Sequence, residues 1–139
     1  MTRILIILDT NFLLIPIEFG VDIFHEIEQI FPSPYELGVV DGTINELENI
    51  IAYGRGKDKE AARVGKSLLP AKSIRILSMG GCRSVDEALV HWGKNGATIA
   101  TQDKDLKRVL KSLGVPRIVL RKKSHLLLEG ERRCIMKQK

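Results

Sequence analysis

The chain of 139 residues has little of what would mark several classes of protein. Its two cysteines, Cys82 and Cys134, lie far apart and form no CxxC or Cys/His spacing, which excludes a disulfide framework and a cysteine-based zinc site. Free thiols in a reducing compartment are the expectation. No long hydrophobic run is present: Ile4 to Leu8 is apolar, but Asp9 and Asn11 end it far short of the ~18 residues a membrane span needs. No small-residue cleavage site follows that run, so a signal peptide is not expected, and the chain reads as cytoplasmic with no membrane partner. Basic residues are scarce at the start, where residues 1–50 hold Arg3 alone against nine acids. The rest of the chain carries a net +13, and residues 115–139 account for +6 of it, which makes the C-terminal part the docking surface expected for a polyanion. There is no internal repeat and no linker, and Gly54-Arg-Gly-Lys57 lacks the spacing and the Ser/Thr of a phosphate-binding loop.

What is present has a regular rhythm. Arg3 to Leu8 is a continuous β-branched and leucine run, as expected for a strand covered on both faces. Asp22 to Phe31 places Ile23, Phe24, Ile27, Ile30 and Phe31 at helical spacing, with Pro32 and Pro34 ending it. A strand over Leu37 to Val40 precedes Thr43-Ile-Asn-Glu46, read as a capping box opening a helix to about Tyr53. Gly54 to Lys57 is expected as a loop, and Asp58 to Leu69 as a helix stopped at Pro70. A strand at Ile74 to Leu77, a second capping box at Ser84-Val-Asp-Glu87 and a helix from Ala88 to Lys94 follow. Ala97 to Thr101 reads as a strand, Asp103 to Leu113 as a helix, and Arg117 to Leu120 and His125 to Leu128 as late strands. Alternating strands and helices predict a three-layer α/β/α domain with a mainly parallel central sheet over residues 1–130, and a basic tail over 131–139.

In an open parallel sheet, ligands bind beyond the carboxyl ends of the strands. Asp9-Thr-Asn11 follows the first strand, Gln102-Asp-Lys-Asp105 follows the strand ending at Thr101, and Glu46 and Asp86 sit in first helical turns on that edge. Four segments thus deliver carboxylates to one place. Such groups repel one another, and either a raised pKa or a bound divalent cation resolves the conflict. All-oxygen ligands favour Mg²⁺ or Mn²⁺ over zinc, and such a site can position water for in-line attack on a phosphodiester. Each acid also has a simpler explanation: Glu46 and Glu87 complete capping boxes, and Asp86 and Asp103 suit helix N-termini. Asp9 resists it, because a carboxylate ending a buried apolar strand is costly without a partner or a task. Asp105 reads equally as a further ligand or a solvated helix acid. Lys107, Arg108 and Lys111 share the helix that opens at Asp103 and suit nucleic-acid phosphates, as does the run Arg121-Lys-Lys123; both also read as solvated charge.

With these residues assembled, the sequence resembles the PIN-domain nucleases, and within them the branch containing the small-subunit ribosomal RNA processing endonucleases. Leu8-Asp-Thr-Asn-Phe12, Ser84-Val-Asp-Glu-Ala-Leu89, Ala100-Thr-Gln-Asp-Lys-Asp-Leu-Lys-Arg108, and Gly114-Val-Pro with Arg121-Lys-Lys123 carry the resemblance, in matching order across nearly the whole chain. It implies a PIN-like fold and an endoribonuclease using one or two Mg²⁺ or Mn²⁺ ions, leaving a 5′-phosphate and a 3′-hydroxyl. Asp9, Glu46, Asp86 and Asp103 would be the catalytic and metal-holding acids, Asp105 an accessory ligand, and Asn11, Thr101 and Glu87 supporting residues. Lys107, Arg108, Lys111, Arg121, Lys122 and Lys123 are the RNA-binding residues expected, with ribosomal RNA as partner. The missing N-terminal extension points to a prokaryotic, archaeal single-domain member, and the pair Asp86-Glu87, where that branch tends to have two aspartates, leaves Glu87 either as a metal ligand or as the cap of its helix. The alternatives are a toxin-type PIN ribonuclease of a toxin-antitoxin pair and a catalytically silent RNA-binding scaffold; a receiver-type phosphoaspartate domain lacks the paired acid beside Asp9. A homodimer through the apolar helix Asp22 to Phe31 is a further expectation.

Overall fold

The computed structural model describes residues 3–130, so the expected tail over 131–139 lies outside the described residues. Six strands form one sheet in the order β3-β2-β1-β4-β5-β6. They are β1 (Ile4–Leu8), β2 (Tyr35–Val40), β3 (Arg75–Leu77), β4 (Thr98–Ala100), β5 (Arg117–Arg121) and β6 (His125–Glu129). The first five run parallel, and β6 returns antiparallel beside β5. The helices are α1 (Thr10–Leu13), α2 (Ile15–Phe19), α3 (Ile23–Ile30), α4 (Asp41–Tyr53), α5 (Gly56–Ala71), α6 (Val85–Lys94) and α7 (Lys104–Ser112).

The unbroken apolar run of β1 follows from its central place. Ile6 and Leu8 face one core with Phe12, Leu13, Ile23, Ile27, Leu47 and Ala62, contributed by α1, α3, α4 and α5. Ile7 faces the other, with Val85, Ala88 and Leu89 of α6 and Leu106 and Leu110 of α7. All three β1 residues are fully buried, so successive side chains of one strand feed two helical layers and the predicted α/β/α sandwich is what forms. Close approach of α6 needs Gly93, where a Cβ would stand 2.8 Å from Val115 Cγ1.

Several local expectations are corrected. The Thr43-to-Glu46 capping box does not exist: α4 begins at Asp41 directly from β2, Val40 occupies the N-cap position without a side-chain bond, and Thr43 is buried inside the helix. At Ser84 the cap forms, accepting from Glu87 N–H, but Glu87 reaches the N–H of Arg83 instead of closing a box on Ser84. That helix starts at Val85, three residues earlier than expected. Pro70 does not stop α5, which continues to Ala71; a proline this close to a C-terminus displaces few helical bonds. The loop expected over 54–57 is shorter, because α5 opens at Gly56. Two short helices over residues 10–19 had no counterpart in the sequence reading. The apolar face of α3 packs against the core of its own chain: Ile23 and Ile27 are fully buried, and Phe24, Ile30 and Phe31, partly buried, lie beside them.

Candidate active site

Parallel strands end on a common edge, and the register places Leu8 beside Ala100 there. The next residues on each strand are therefore neighbours, and Asp9 N–H donates to the Ala100 carbonyl at 2.8 Å. Asp9 caps α1, its Oδ1 accepting from Thr10 N–H at 2.8 Å, while Oδ2 accepts from the Thr101 hydroxyl at 2.6 Å. Thr101 Oγ1 in turn accepts from Asp103 N–H at 3.0 Å, so one hydroxyl links the acids ending β1 and opening α7. Asp103 is the N-cap of α7, its Oδ1 taking the Asp105 and Leu106 N–H groups at 2.9 and 3.0 Å. Asn11 Oδ1 accepts from Gln102 N–H, and the Gln102 side-chain amide donates back to the Asn11 carbonyl, both at 3.1 Å. The loop after β4 is thereby fastened to α1.

Glu46 is brought in from α4. Its Oε1 accepts a short hydrogen bond from the Thr10 hydroxyl, whose oxygen lies 3.3 Å from the hydroxyl oxygen of the buried Thr43. With one proton per hydroxyl, Thr10 gives its own to the carboxylate and receives that of Thr43. Neither threonine was singled out from the sequence. The signal available was the position of Thr10 beside Asp9; Thr43 has the sequence context of a cap, but the N-cap lies three residues earlier, at Val40.

The electrostatics separate Asp9 from the others. It is 5% exposed, and burial pushes its carboxyl up to about 6 against the opposing bonds from Thr101 and Thr10, with the charges of Asp86 and Glu46 adding to the rise. Asp86, in the first turn of α6, is raised by burial and then by the Asp103 charge. Repulsion therefore runs from Glu46 to Asp9, from Asp9 to Asp86 and from Asp86 to Asp103, and a cation would relieve it. Among the described residues, no three His, Cys, Asp or Glu side chains close into a ligand cage. Mg²⁺ does not require one, since it binds through one or two carboxylates and keeps several waters, and the all-oxygen donor set suits it or Mn²⁺.

The remaining expected residues divide into those near this cluster and those beside it. Asp105 pairs outward with Arg108 of its own helix at 3.1 Å, both side chains well exposed. Glu87 is occupied by the Arg83 N–H at 3.1 Å. Lys107, Arg108 and Lys111 do line one groove with Arg121, joined by Lys104 and Arg117, which the sequence reading passed over. Helical spacing on α7 makes one wall and alternate residues of β5 the floor. Among the described residues that line it, Glu129 of β6 is the one acid, 3.4 Å from Arg117 Nε and 2.7 Å from Arg121 Nη2. Lys122 and Lys123 lie outside that groove in the β5–β6 turn, both at positive φ, and Lys123 Nζ stands 5.7 Å from the Phe19 ring centre of α2.

Comparison with known proteins meets this geometry. Residues 6–123 match the family model described as a PIN like domain, which runs from Ile6 within β1 through β5 and takes in Asp9, Glu46, Asp86 and Asp103. The chain belongs to the PIN-like domain family. Among relatives of this PIN-like domain, Ribonuclease VapC4 of Methanocaldococcus jannaschii is 28% identical over 127 residues, 90% of this chain and 96% of that protein. Among solved structures, the PIN domain endonuclease Utp24 superposes with a TM-score of 0.72 at 19% identity, over 91% of this chain and 92% of that one, a likeness of fold. Among the described residues of this PIN-like domain, no helix is long and apolar enough to cross a membrane.

Proposed function

We propose that this PIN-like domain is a Mg²⁺- or Mn²⁺-dependent endoribonuclease that hydrolyses RNA phosphodiester bonds, acting in ribosomal RNA processing. The observation that carries the reading is Asp9: a carboxylate buried at the end of the central strand and pushed up to about 6, with the charges of Asp86 and Glu46 acting on it and Asp103 linked to it through the Thr101 hydroxyl. A folded core tolerates that cost where the group has a task. Asp9, Glu46, Asp86 and Asp103 would hold the metal, with Asp105 at the margin and Asn11, Thr101 and Glu87 supporting the loops that carry them. A bound Mg²⁺ or Mn²⁺ supplies charge stabilisation for the developing phosphorane oxygens and lowers the pKa of an attacking water. The protein's own contribution is to fix the carboxylates: Thr101 holds Asp9, Thr10 holds Glu46, and the Asn11–Gln102 pair fixes the loop leading to Asp103. The RNA backbone would follow Lys107, Arg108, Lys111 and Arg121 beside the site, with Lys122 and Lys123 at its edge.

The experiment is cleavage of end-labelled RNA with and without Mn²⁺, comparing the wild-type protein with Asp9→Asn. Metal-dependent cleavage lost in the variant supports the reading; equal cleavage in both, or none in either, overturns it. The latter outcome with strong, salt-sensitive RNA binding identifies a silent scaffold. A toxin-type ribonuclease is the second reading, favoured by the similarity to Ribonuclease VapC4 over almost the full length of both chains. Preference for precursor ribosomal RNA over transfer RNA in the same assay separates the two.

A further inference from the structure

Beside the carboxylates lies a cleft that the proposed chemistry does not use. On α4, Glu46, Ile50 and Tyr53 fall on one face, and on α1 and α2 the residues Thr10, Leu14 and Glu18 follow at four-residue intervals. The two rows meet: Thr10 bonds Glu46, and Leu14, Glu18, Ile50 and Tyr53, with Asn49 and Asp58, line one open cleft. Tyr53 stands about 10 Å from Glu46 along the helix, at seven residues' rise. Its ring is 83% exposed, the most exposed large hydrophobic side chain described, on the last turn of α4. Gly54 follows it, where the chain leaves the helix so tightly that a Cβ would lie 2.5 Å from the Ile50 carbonyl oxygen. The cleft meets the candidate site at a second point, since the Gln102 side chain, fastened to Asn11, lies close enough to Glu18 to oppose the rise that burial causes in its pKa.

The lining defines the occupant. An aromatic side chain in a lining shared with Leu14 and Ile50 suits a flat ring, whereas Glu18 and Asp58 repel a phosphate. A carboxylate is acceptor-only, so it selects a ring edge that presents donors. Among RNA bases only guanine offers two adjacent donors, N1–H and the 2-amino group, matched to the two oxygens of one carboxylate. We propose that this cleft receives an unpaired guanine of the RNA, stacked on Tyr53 and read at its donor edge by Glu18, on a nucleotide flanking the bond to be cut. The inference rests on the ribonuclease reading for its ligand, and it adds a base preference to a site whose carboxylates contact only backbone.

Binding without divalent metal tests it apart from catalysis. Fluorescence anisotropy would compare labelled oligouridine 12-mers carrying, at one central position, guanosine, inosine, adenosine or an abasic site. For the full chain, guanosine is expected to bind about tenfold or more tighter than the abasic strand, and about fivefold tighter than inosine, which keeps the stacking ring and N1–H but lacks the 2-amino group. Tyr53→Ala should remove the advantage over the abasic strand and Tyr53→Phe should keep it; Glu18→Gln should abolish the difference between guanosine and inosine. Equal affinity for guanosine, adenosine and the abasic strand, or an advantage that survives Tyr53→Ala, overturns the proposal. A guanosine preference in a protein that cuts no RNA would leave this inference standing and refute the catalytic one.

Discussion

Replacing Asp9 by asparagine should make the metal-free protein more stable at neutral pH, although it removes the group on which the proposed chemistry depends. The folded-state pKa of Asp9 is about 6 against an ordinary 3.8. Between those values the native protein binds more protons than the unfolded chain, so this carboxyl lowers stability progressively as pH rises from about 4 to about 6, and the loss is complete above that. A shift of this size corresponds to about 3 kcal/mol. Asparagine keeps the acceptor for Thr10 N–H but no longer accepts from the Thr101 hydroxyl, which costs about 1–2 kcal/mol. Asp9→Asn should therefore be less stable than wild type by about 1–2 kcal/mol near pH 4 and more stable by about 1–2 kcal/mol at pH 7. Urea unfolding followed by the fluorescence of Trp92, whose indole N–H donates to the Ser78 carbonyl, measures both proteins across this range. Adding Mn²⁺ at about 100 times its Kd should stabilise the wild type alone by about 2.7 kcal/mol. A stability difference that does not change between pH 4 and pH 7 would refute the account of Asp9 as a buried, destabilising charge.

Three further outcomes follow from named contacts. Thr10→Val removes the donor to Glu46 and should lower kcat on RNA by about tenfold or more with KM little changed, while Thr10→Ser restores it; steady-state cleavage kinetics read the split. Replacing Lys107 and Lys111 together by alanine should weaken single-stranded RNA binding and reduce the slope of log affinity against log salt by about 1.4, at about 0.7 per phosphate contact, as anisotropy titrations would show. Gly93→Ala drives a Cβ to 2.8 Å from Val115 Cγ1 and should destabilise the fold by about 1–2 kcal/mol, measured by urea midpoint with an unchanged m-value.

Elements whose causes are local could be read from the sequence, and contacts between distant segments could not. The run in β1 signals burial on both faces because Ile6 and Leu8 feed one core and Ile7 the other. Asp103 is legible as a helix start because an aspartate N-cap acts on the next turn alone. The α4 boundary was misplaced because β2 passes into the helix without a turn, so the polar Thr43 looked like a cap when it is a buried partner of Thr10, 33 residues away. Residues 10–19 form helices that owe more to the surrounding core than to any pattern of their own, with Pro16 in the first turn of α2. The acids were legible by type and by their place at strand ends; what holds each one was not.

The Thr101–Asp9 hydrogen bond spans 92 residues. During synthesis, at 5–20 residues per second, roughly 5–20 s separate the emergence of Asp9 from that of the hydroxyl that orients it. Throughout that interval β1 has no β4 beside it, and the carboxylates of Asp9 and Asp103 cannot face a common cation. A nascent chain attached to a ribosome is thus surrounded by RNA at a time when its acids are still scattered. The order in which the polypeptide is made thus brings the acids of the proposed site together only after Asp103 has been added.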